Sequence, residues 1–292
     1  MSVVSTYLDL EARVPPPYHA VEATLRVPVP REDAWAAIAD PPQVRQWLGE
    51  LSSELAPLRA ARLDFGDGDF FTLGPRRVDP PHVLEYGWRF LGLSPECLIT
   101  WTIDRADEFE SIVTVRDEEP ERSHEAALAL STGWIDFLTR LARFLETGAW
   151  SRYASRNEVD ASVELPVPIE RARDLFTHRT QGTWLPVGRD GLEEGGSFHV
   201  ETGHALDVRA LERPSADRVT FALGLPGWNV ETRCAIALSP RSGGTLLEIE
   251  HAGVGDVPVD ESARTRLRAA IVQTWIAALE RARAAVLPQA SG

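Results

Sequence analysis

The sequence predicts an α+β fold built twice in tandem, each copy a curved antiparallel sheet wrapped around a long C-terminal helix. One strand motif recurs, as VEATLRVPVP at 21–30 and VDASVELPVP at 159–168. Trp134-Ile135 recurs as Trp275-Ile276, with an offset of 141 residues against 138 for the strand. Such self-similarity identifies a duplicated unit, and 292 residues suffice for two domains with their own cores.

The order of elements follows from the alternation of polar and apolar residues in strands and the 3.6-residue period of helices. In the first copy, we predict strands near 21–30, 55–66, 69–79, 82–90, 96–105 and 109–117, short helices within 31–49 and a long helix over 125–147. In the second, we predict strands near 159–167, 197–202, 205–212, 217–224, 229–238 and 245–251, short helices within 169–185 and a long helix over 260–286. The predicted domains are 20–150 and 151–288, after an extended N-terminal lead at 1–19.

Composition narrows the classes of partner. The formal net charge is −14, which disfavours nucleic acid and anionic membrane surfaces. No stretch approaches the roughly 18 consecutive apolar residues of a membrane span, and the first residues lack a signal-peptide pattern. The two cysteines, Cys97 and Cys234, lie alone in apolar strands and fit reduced thiols. We therefore predict a cytoplasmic protein that binds a small molecule.

Aromatic residues concentrate on the predicted inner faces of the sheets. Tyr86 and Trp88 share one strand face, and the helix motifs place Trp134 and Trp275 toward the sheets. Nine tryptophans under a curved sheet favour a partly open, aromatic-lined pocket, although plain core packing explains any single residue. The residues predicted to line the cavities are Tyr86, Gly87, Trp88, Trp101, Gly133, Trp134, Phe137, Trp228, Thr232, His251 and Trp275.

Few polar residues suggest catalysis. His251 faces inward beside Thr232, where it fits either a general base or, more commonly, a hydrogen-bonded structural histidine. A second pattern superficially suggests metal ligands, but its members do not all share a face. That pattern comprises His199, Glu201, His204 and Asp207. We predict no catalytic residue, no metal and no cofactor.

Two glycines interrupt regular elements. Gly87 lies in mid-strand and Gly133 inside the long helix, each costing roughly 0.5–1 kcal/mol relative to alanine. A bend of the sheet at Gly87 and a close helix–sheet approach at Gly133 are structural explanations. The functional explanation is access of a ligand to bare backbone.

This order of elements resembles the helix-grip architecture of the START/Bet v1 superfamily. The sequence motifs are most similar to those of the branch related to the C-terminal domain of the Hsp90 ATPase activator. In the first copy the resemblance rests on Val29-Pro30, Ala34-Trp35, Asp40-Pro41, Trp47, Gly74, 78–81, 84–88, Gly133-Trp134, Leu138, Leu141 and Leu145-Glu146. In the second it rests on 195–198, Gly244-Thr245, 250–253, Trp275 and Leu279, while Thr177-His178-Arg179 departs from the family's Asp-Pro.

The resemblance implies more about fold than about activity, because these residues are mostly packing and turn residues. Within the superfamily the chain resembles START-type proteins of enediyne gene clusters, including two-domain members of dynemicin-type clusters. These relatives imply binding of a bulky, partly aromatic natural product in antibiotic biosynthesis or self-resistance, in which an activated drug abstracts hydrogen from the protein. Gly87 and Gly133 would be the first donors. The alternatives are a polyketide aromatase/cyclase and a co-chaperone-like interaction module.

Overall fold

A computed structural model describes residues 3–4, 9–152, 156–188, 191–201, 205–212, 215–224 and 230–287. The chain divides into two compact units. The first comprises Met1–Gly66, Phe70–Gly92 and Glu96–Ala154, and the second comprises Asp67–Asp69, Leu93–Pro95 and Ser155–Gly292. Both have the predicted α+β architecture, an antiparallel sheet with a long C-terminal helix.

In the described part of the first unit, nine antiparallel strands form one sheet, with the order β1-β2-β3-β9-β8-β7-β6-β5-β4. The strands are β1 (Val3–Val4), β2 (Leu10–Arg13), β3 (Ala20–Val27), β4 (Glu50–Leu51), β5 (Ala61–Asp64), β6 (Phe70–Asp79), β7 (Val83–Phe90), β8 (Cys97–Arg105) and β9 (Ser111–Glu118). The helices are α1 (Arg31–Ala39), α2 (Pro41–Trp47) and α3 (His124–Thr147).

The described strands of the second unit form a six-stranded antiparallel sheet with the order β10-β15-β14-β13-β12-β11. They are β10 (Val159–Leu165), β11 (Ser197–His199), β12 (Ala205–Leu211), β13 (Arg218–Gly224), β14 (Glu231–Arg241) and β15 (Gly244–Ala252). The helices are α4 (Ile169–Ala172), α5 (His178–Trp184) and α6 (Glu261–Val286), with 3-10 turns at Arg173–Phe176 and Val254–Asp256.

Local chemistry sets the ends of the long helices. Ser123 caps α3 by accepting a hydrogen bond from the Ala126 amide at 3.1 Å, and Gly148 ends it in the left-handed region at φ +64°. Asp260 caps α6 by accepting from the Ala263 amide at 2.8 Å. None of the described helices is long and apolar enough to cross a bilayer.

Two segments differ from the sequence-based prediction. The strand predicted at 55–66 shortens to β5, because the preceding residues include Pro57 and Leu58, whose φ is +63°. The N-terminal lead is extended but contains β2, which pairs with β3. Leu10 and Ala12 of β2 are buried, so this part of the lead belongs to the first core.

Candidate functional site

An aromatic cluster occupies the interior of the first unit between the sheet and α3. It consists of Phe65, Phe71, Trp88, Trp134 and Phe137. The Phe71 and Trp88 rings stack at 3.9 Å, and the Trp88 and Trp134 rings lie nearly parallel at 5.6 Å. Phe137 packs edge-on against Trp134 and parallel to Phe65. Alternation along the strands and the helical period thus bring predicted residues from β7 and α3 together.

The side chains on the inner side of the cluster are buried. Those on its outer side, called the half-open side below, remain partly exposed to solvent. Trp88 and Trp134 are 5% and 2% exposed, whereas Phe71 and Phe137 remain half-buried. Tyr86 and Trp101 extend the inner side, where the Trp101 Nε1–H donates to the Tyr86 hydroxyl at 2.9 Å. Burial raises the pKa of that hydroxyl, so Tyr86 stays neutral.

A buried ion pair lies beneath the aromatic cluster. The Asp117 carboxylate accepts from Trp134 Nε1 at 3.0 Å and from the Arg122 guanidinium at 2.6 Å. Burial raises the pKa of the Asp117 carboxyl, and the bonds from Arg122 and Trp134 oppose that shift. Arg122 also donates to the Asp117 and His19 carbonyls at 3.1 and 3.2 Å. This network fixes the Trp134 indole in the interior.

Cys97 lies beside this ion pair. The Arg122 guanidinium donates to its sulfur at 3.3 Å. Burial nevertheless raises the pKa of the Cys97 thiol to about 12, which keeps it protonated at neutral pH. Burial likewise raises the pKa of the Cys234 thiol in the second unit. Both cysteines are free thiols, and neither is activated as a nucleophile.

His251 takes the position in the second unit that Asp117 takes in the first. Asp117 pairs with Val21 and Ile99 across the sheet, and His251 pairs with Val159 and Cys234. Because Val21 and Val159 are the same position of the repeated strand motif, Asp117 and His251 occupy equivalent positions of the two units. Each accepts a hydrogen bond from the tryptophan of its own long helix.

The hydrogen bonds of His251 define its tautomer. The Trp275 Nε1–H donates to Nδ1 at 3.2 Å, so Nδ1 is the unprotonated nitrogen. Nε2–H then donates to the Thr232 hydroxyl at 2.7 Å, which donates to the Leu223 carbonyl at 3.3 Å. Burial lowers the pKa of His251 to about 3. Both ring nitrogens are occupied, and this arrangement matches the structural histidine that the sequence favoured over a general base.

The structure places the two glycines in different surroundings. Gly87 faces the side of β7 opposite Tyr86 and Trp88, where a Cβ would meet the Glu96 carboxyl carbon at 2.7 Å. Glu96 pairs there with Arg76 and Arg89. Gly87 therefore does not line the interior, because strand residues alternate between faces.

Gly133 lies on the half-open side of α3, one residue before Trp134. A Cβ added there meets no atom within 4 Å, so no close helix–sheet approach requires glycine. The neighbouring residues on this stripe, Leu130 and Phe137, are half-buried. Gly133 thus faces open space beside the aromatic cluster.

The other predicted site residues give a mixed result. Trp275 is fully buried and packs against Phe198 with ring centroids 5.1 Å apart. Trp228 and His204 lie outside the described residues. Among the residues that the structure describes, no group of three or more His, Cys, Asp or Glu side chains could hold a metal ion.

Sequence reasoning missed Asp117 and Arg122. Asp117 follows Val115 by two residues on the inward-facing side of β9, and an acidic residue at such a position is a sequence signal for a buried polar site.

A cavity of about 280 Å³ lies in the second unit, against β12, β13 and β14. Its lining residues are Ala210, Glu212, Phe221, Ala222, Glu231, Thr232 and Arg233. Three of the seven carry charge, so this cavity differs in character from the aromatic cluster.

Comparisons with known proteins place these features in a family. Residues 28–146 match the family described as Activator of Hsp90 ATPase homolog 1-like protein. No curated protein sequence matches the chain. DynU16, a protein of the dynemicin biosynthetic locus, is 34% identical, with a TM-score of 0.83 over 92% of this chain and 99% of that chain.

More distant solved structures are also similar. The di-domain ARO/CYC BexL from the BE-7585A biosynthetic pathway is 13% identical over 93% of this chain and 99% of its own, with a TM-score of 0.39. CalU16 from Micromonospora echinospora is 19% identical over 48% of this chain and 84% of its own, and its TM-score is 0.39. Three findings agree with the predicted resemblance: the tandem helix-grip fold, the family match at 28–146, and the 34% identity to DynU16 over nearly the whole of both chains. The chain therefore belongs to the family of two-domain START/Bet v1-like proteins, in the branch related to the activator of Hsp90 ATPase.

Proposed function

We propose that this chain binds a bulky, rigid, partly aromatic natural product in a START-type interior and serves enediyne-type antibiotic biosynthesis or self-resistance. The half-open aromatic cluster of the first unit is the observation that carries this proposal. Its support is the similarity to DynU16, a protein of the dynemicin biosynthetic locus.

The aromatic cluster suits a flat apolar ligand. Phe71, Trp88 and Trp134 present nearly parallel rings, with angles of 11° and 19° between neighbours. A planar ring system that enters from the half-open side gains buried apolar area and favourable stacking against Phe71, the half-buried ring of the three. The buried charged groups bonded to the cluster, Asp117 and Arg122, neutralise each other, so the interior favours an uncharged ligand over an ionic one.

Of the two glycines predicted as hydrogen donors, the geometry favours Gly133 over Gly87. A bound diradical would meet the Cα–H of Gly133, because no side chain shields it beside the aromatic cluster. Gly87 is shielded by Glu96 on the other face of the sheet. Hydrogen abstraction, if the protein serves as a sacrificial donor, is therefore proposed at Gly133.

Fluorescence titration with dynemicin tests the binding proposal. We expect saturable quenching of tryptophan emission, and we expect Trp88→Leu to weaken binding at least about tenfold, or about 1.4 kcal/mol. The loss comes from the half-buried Phe71 ring, which a ligand would reach and which loses its stacking partner at 3.9 Å when Trp88 is replaced.

Trp150→Leu is the matched control, because Trp150 is 53% exposed and lies outside the aromatic cluster. Circular dichroism and the melting temperature establish that each variant is folded. Equal affinities for the two variants would contradict the proposed site. Repeated conversion of a poly-β-ketone substrate would instead support the aromatase/cyclase.

A further inference from the structure

The two units place different side chains at equivalent positions of their interiors. Trp88 pairs with Cys97, and Leu223 pairs with Thr232. Cys97 and Thr232 precede, by two residues, the partners of Asp117 and His251 across the sheet. Leu223 therefore stands in the second unit where Trp88 stands in the first.

The same substitution of aliphatic for aromatic residues occurs at two further positions. Leu73 pairs with Trp88 and Val208 pairs with Leu223, so Phe71 and Leu206, two residues earlier, are equivalent. The helix offset of 141 residues makes Ala278 the equivalent of Phe137. Three aromatic residues of the first interior thus correspond to leucine, leucine and alanine in the second.

The helix stripe that is half-open in the first unit is closed in the second. Leu130, Gly133 and Phe137 correspond to Ile271, Thr274 and Ala278. The first three are half-buried, whereas the second three are at most 1% exposed. The smaller side chains of the second unit are therefore the more deeply covered ones, because its core has closed over them.

Thr274 forms part of that closure. Its hydroxyl donates to the Ala270 carbonyl at 2.8 Å and accepts from the Glu201 amide at 3.0 Å. This bond ties α6 to the segment that follows β11. Gly133, its equivalent, has no side chain to make such a bond and faces open space.

We infer that the chain holds one ligand, in the first unit, with a flat uncharged ring system lying over Gly133 and the Phe71–Trp88 stack, and that the second unit is a closed copy that binds none. This inference rests on the proposed function. It assigns to Gly133 the role of a residue that admits the ligand, since any side chain there would enter the space the ring occupies. The cavity of the second unit that includes Glu212, Glu231 and Arg233 is too charged for such a ring.

Filling the space at Gly133 tests the inference in the full-length chain. Gly133→Leu adds a side chain where a Cβ meets nothing within 4 Å, so the helix accommodates it. Thr132→Leu adds the same side chain one residue away on an exposed position of α3. We expect dynemicin to bind the parent chain and Thr132→Leu with equal affinity, and Gly133→Leu at least about tenfold more weakly, measured by calorimetry with the stoichiometry fitted.

The stoichiometry and the variants separate the outcomes. One equivalent per chain that Gly133→Leu removes supports the inference. Two equivalents, or one that persists undiminished in Gly133→Leu, would overturn it while leaving the proposed function in place. No binding to the parent chain would overturn the proposed function itself. Hydrogen-exchange protection of α3, equal in the two leucine variants, verifies that Gly133→Leu is folded.

Discussion

Replacing Arg122 with alanine is expected to lower the free energy of unfolding of the first unit by about 3–5 kcal/mol. The side chains of Asp117 and Arg122 are 2% and 7% exposed, so the substitution leaves a carboxylate buried without its counter-charge. It also removes the donors to the Asp117 and His19 carbonyls. Guanidinium unfolding, with hydrogen exchange to resolve the two units, measures the loss.

The control for this prediction is Arg116→Ala. Arg116 lies on the neighbouring surface and pairs with Glu118 at 3.2 Å, but it is 36% exposed, so its loss should cost less than about 1 kcal/mol. The double variant Asp117→Asn/Arg122→Ala should be more stable than Arg122→Ala, because an uncharged amide still accepts from Trp134. Equal losses of unfolding free energy for Arg116→Ala and Arg122→Ala would show that the buried ion pair stabilises the first unit no more than the exposed one does.

Acid is expected to destabilise the second unit through His251. Its pKa is lowered to about 3 in the folded state by burial, against an ordinary value of 6.5 in the unfolded chain. Between these values the unfolded chain binds the extra proton, so stability is complete above about pH 6.5 and falls as the pH decreases toward 3. From pH 6.5 to 4.5 the expected loss is about 2–3 kcal/mol, roughly 1.4 kcal/mol per pH unit.

His251→Asn isolates this effect, because asparagine keeps an acceptor and donors but does not titrate. In this variant, the slope of the unfolding free energy against pH should decrease by the equivalent of about one bound proton. The measurement is the unfolding midpoint of the second unit at a series of pH values, by hydrogen exchange. Identical slopes in the parent chain and in His251→Asn would contradict the assignment of a neutral, buried His251.

Much of the fold could be predicted because its signals are periodic and repeated. The α3 and α6 bounds differ from the prediction by one residue at their N-terminal ends, since capping residues and the apolar stripe agree there. Strand β2 was missed because four residues, Leu10–Arg13, are too few for the alternation to stand out. Its burial depends on pairing with β3, which is a tertiary contact.

The interior was harder to predict than the fold, for two reasons. The alternation that puts Tyr86 and Trp88 inward necessarily puts Gly87 outward, so grouping all three overlooked the period of the strand. The difference between the units was hidden in residues that are all apolar. From the sequence alone, Phe71 and Leu206, or Phe137 and Ala278, are equally plausible core residues, and only their burial in the structure distinguishes the two interiors.

The native mass spectrum of the full-length chain mixed with dynemicin tests the central claim, binding of an aromatic natural product, most directly. The account predicts a complex of one ligand per chain. If the protein acts as the hydrogen donor, reductive activation of the drug leaves a Cα radical at Gly133, and dioxygen supplied afterwards adds to this radical and leads to backbone cleavage there. A spectrum that shows only the bare chain at ligand concentrations well above micromolar would contradict the claim.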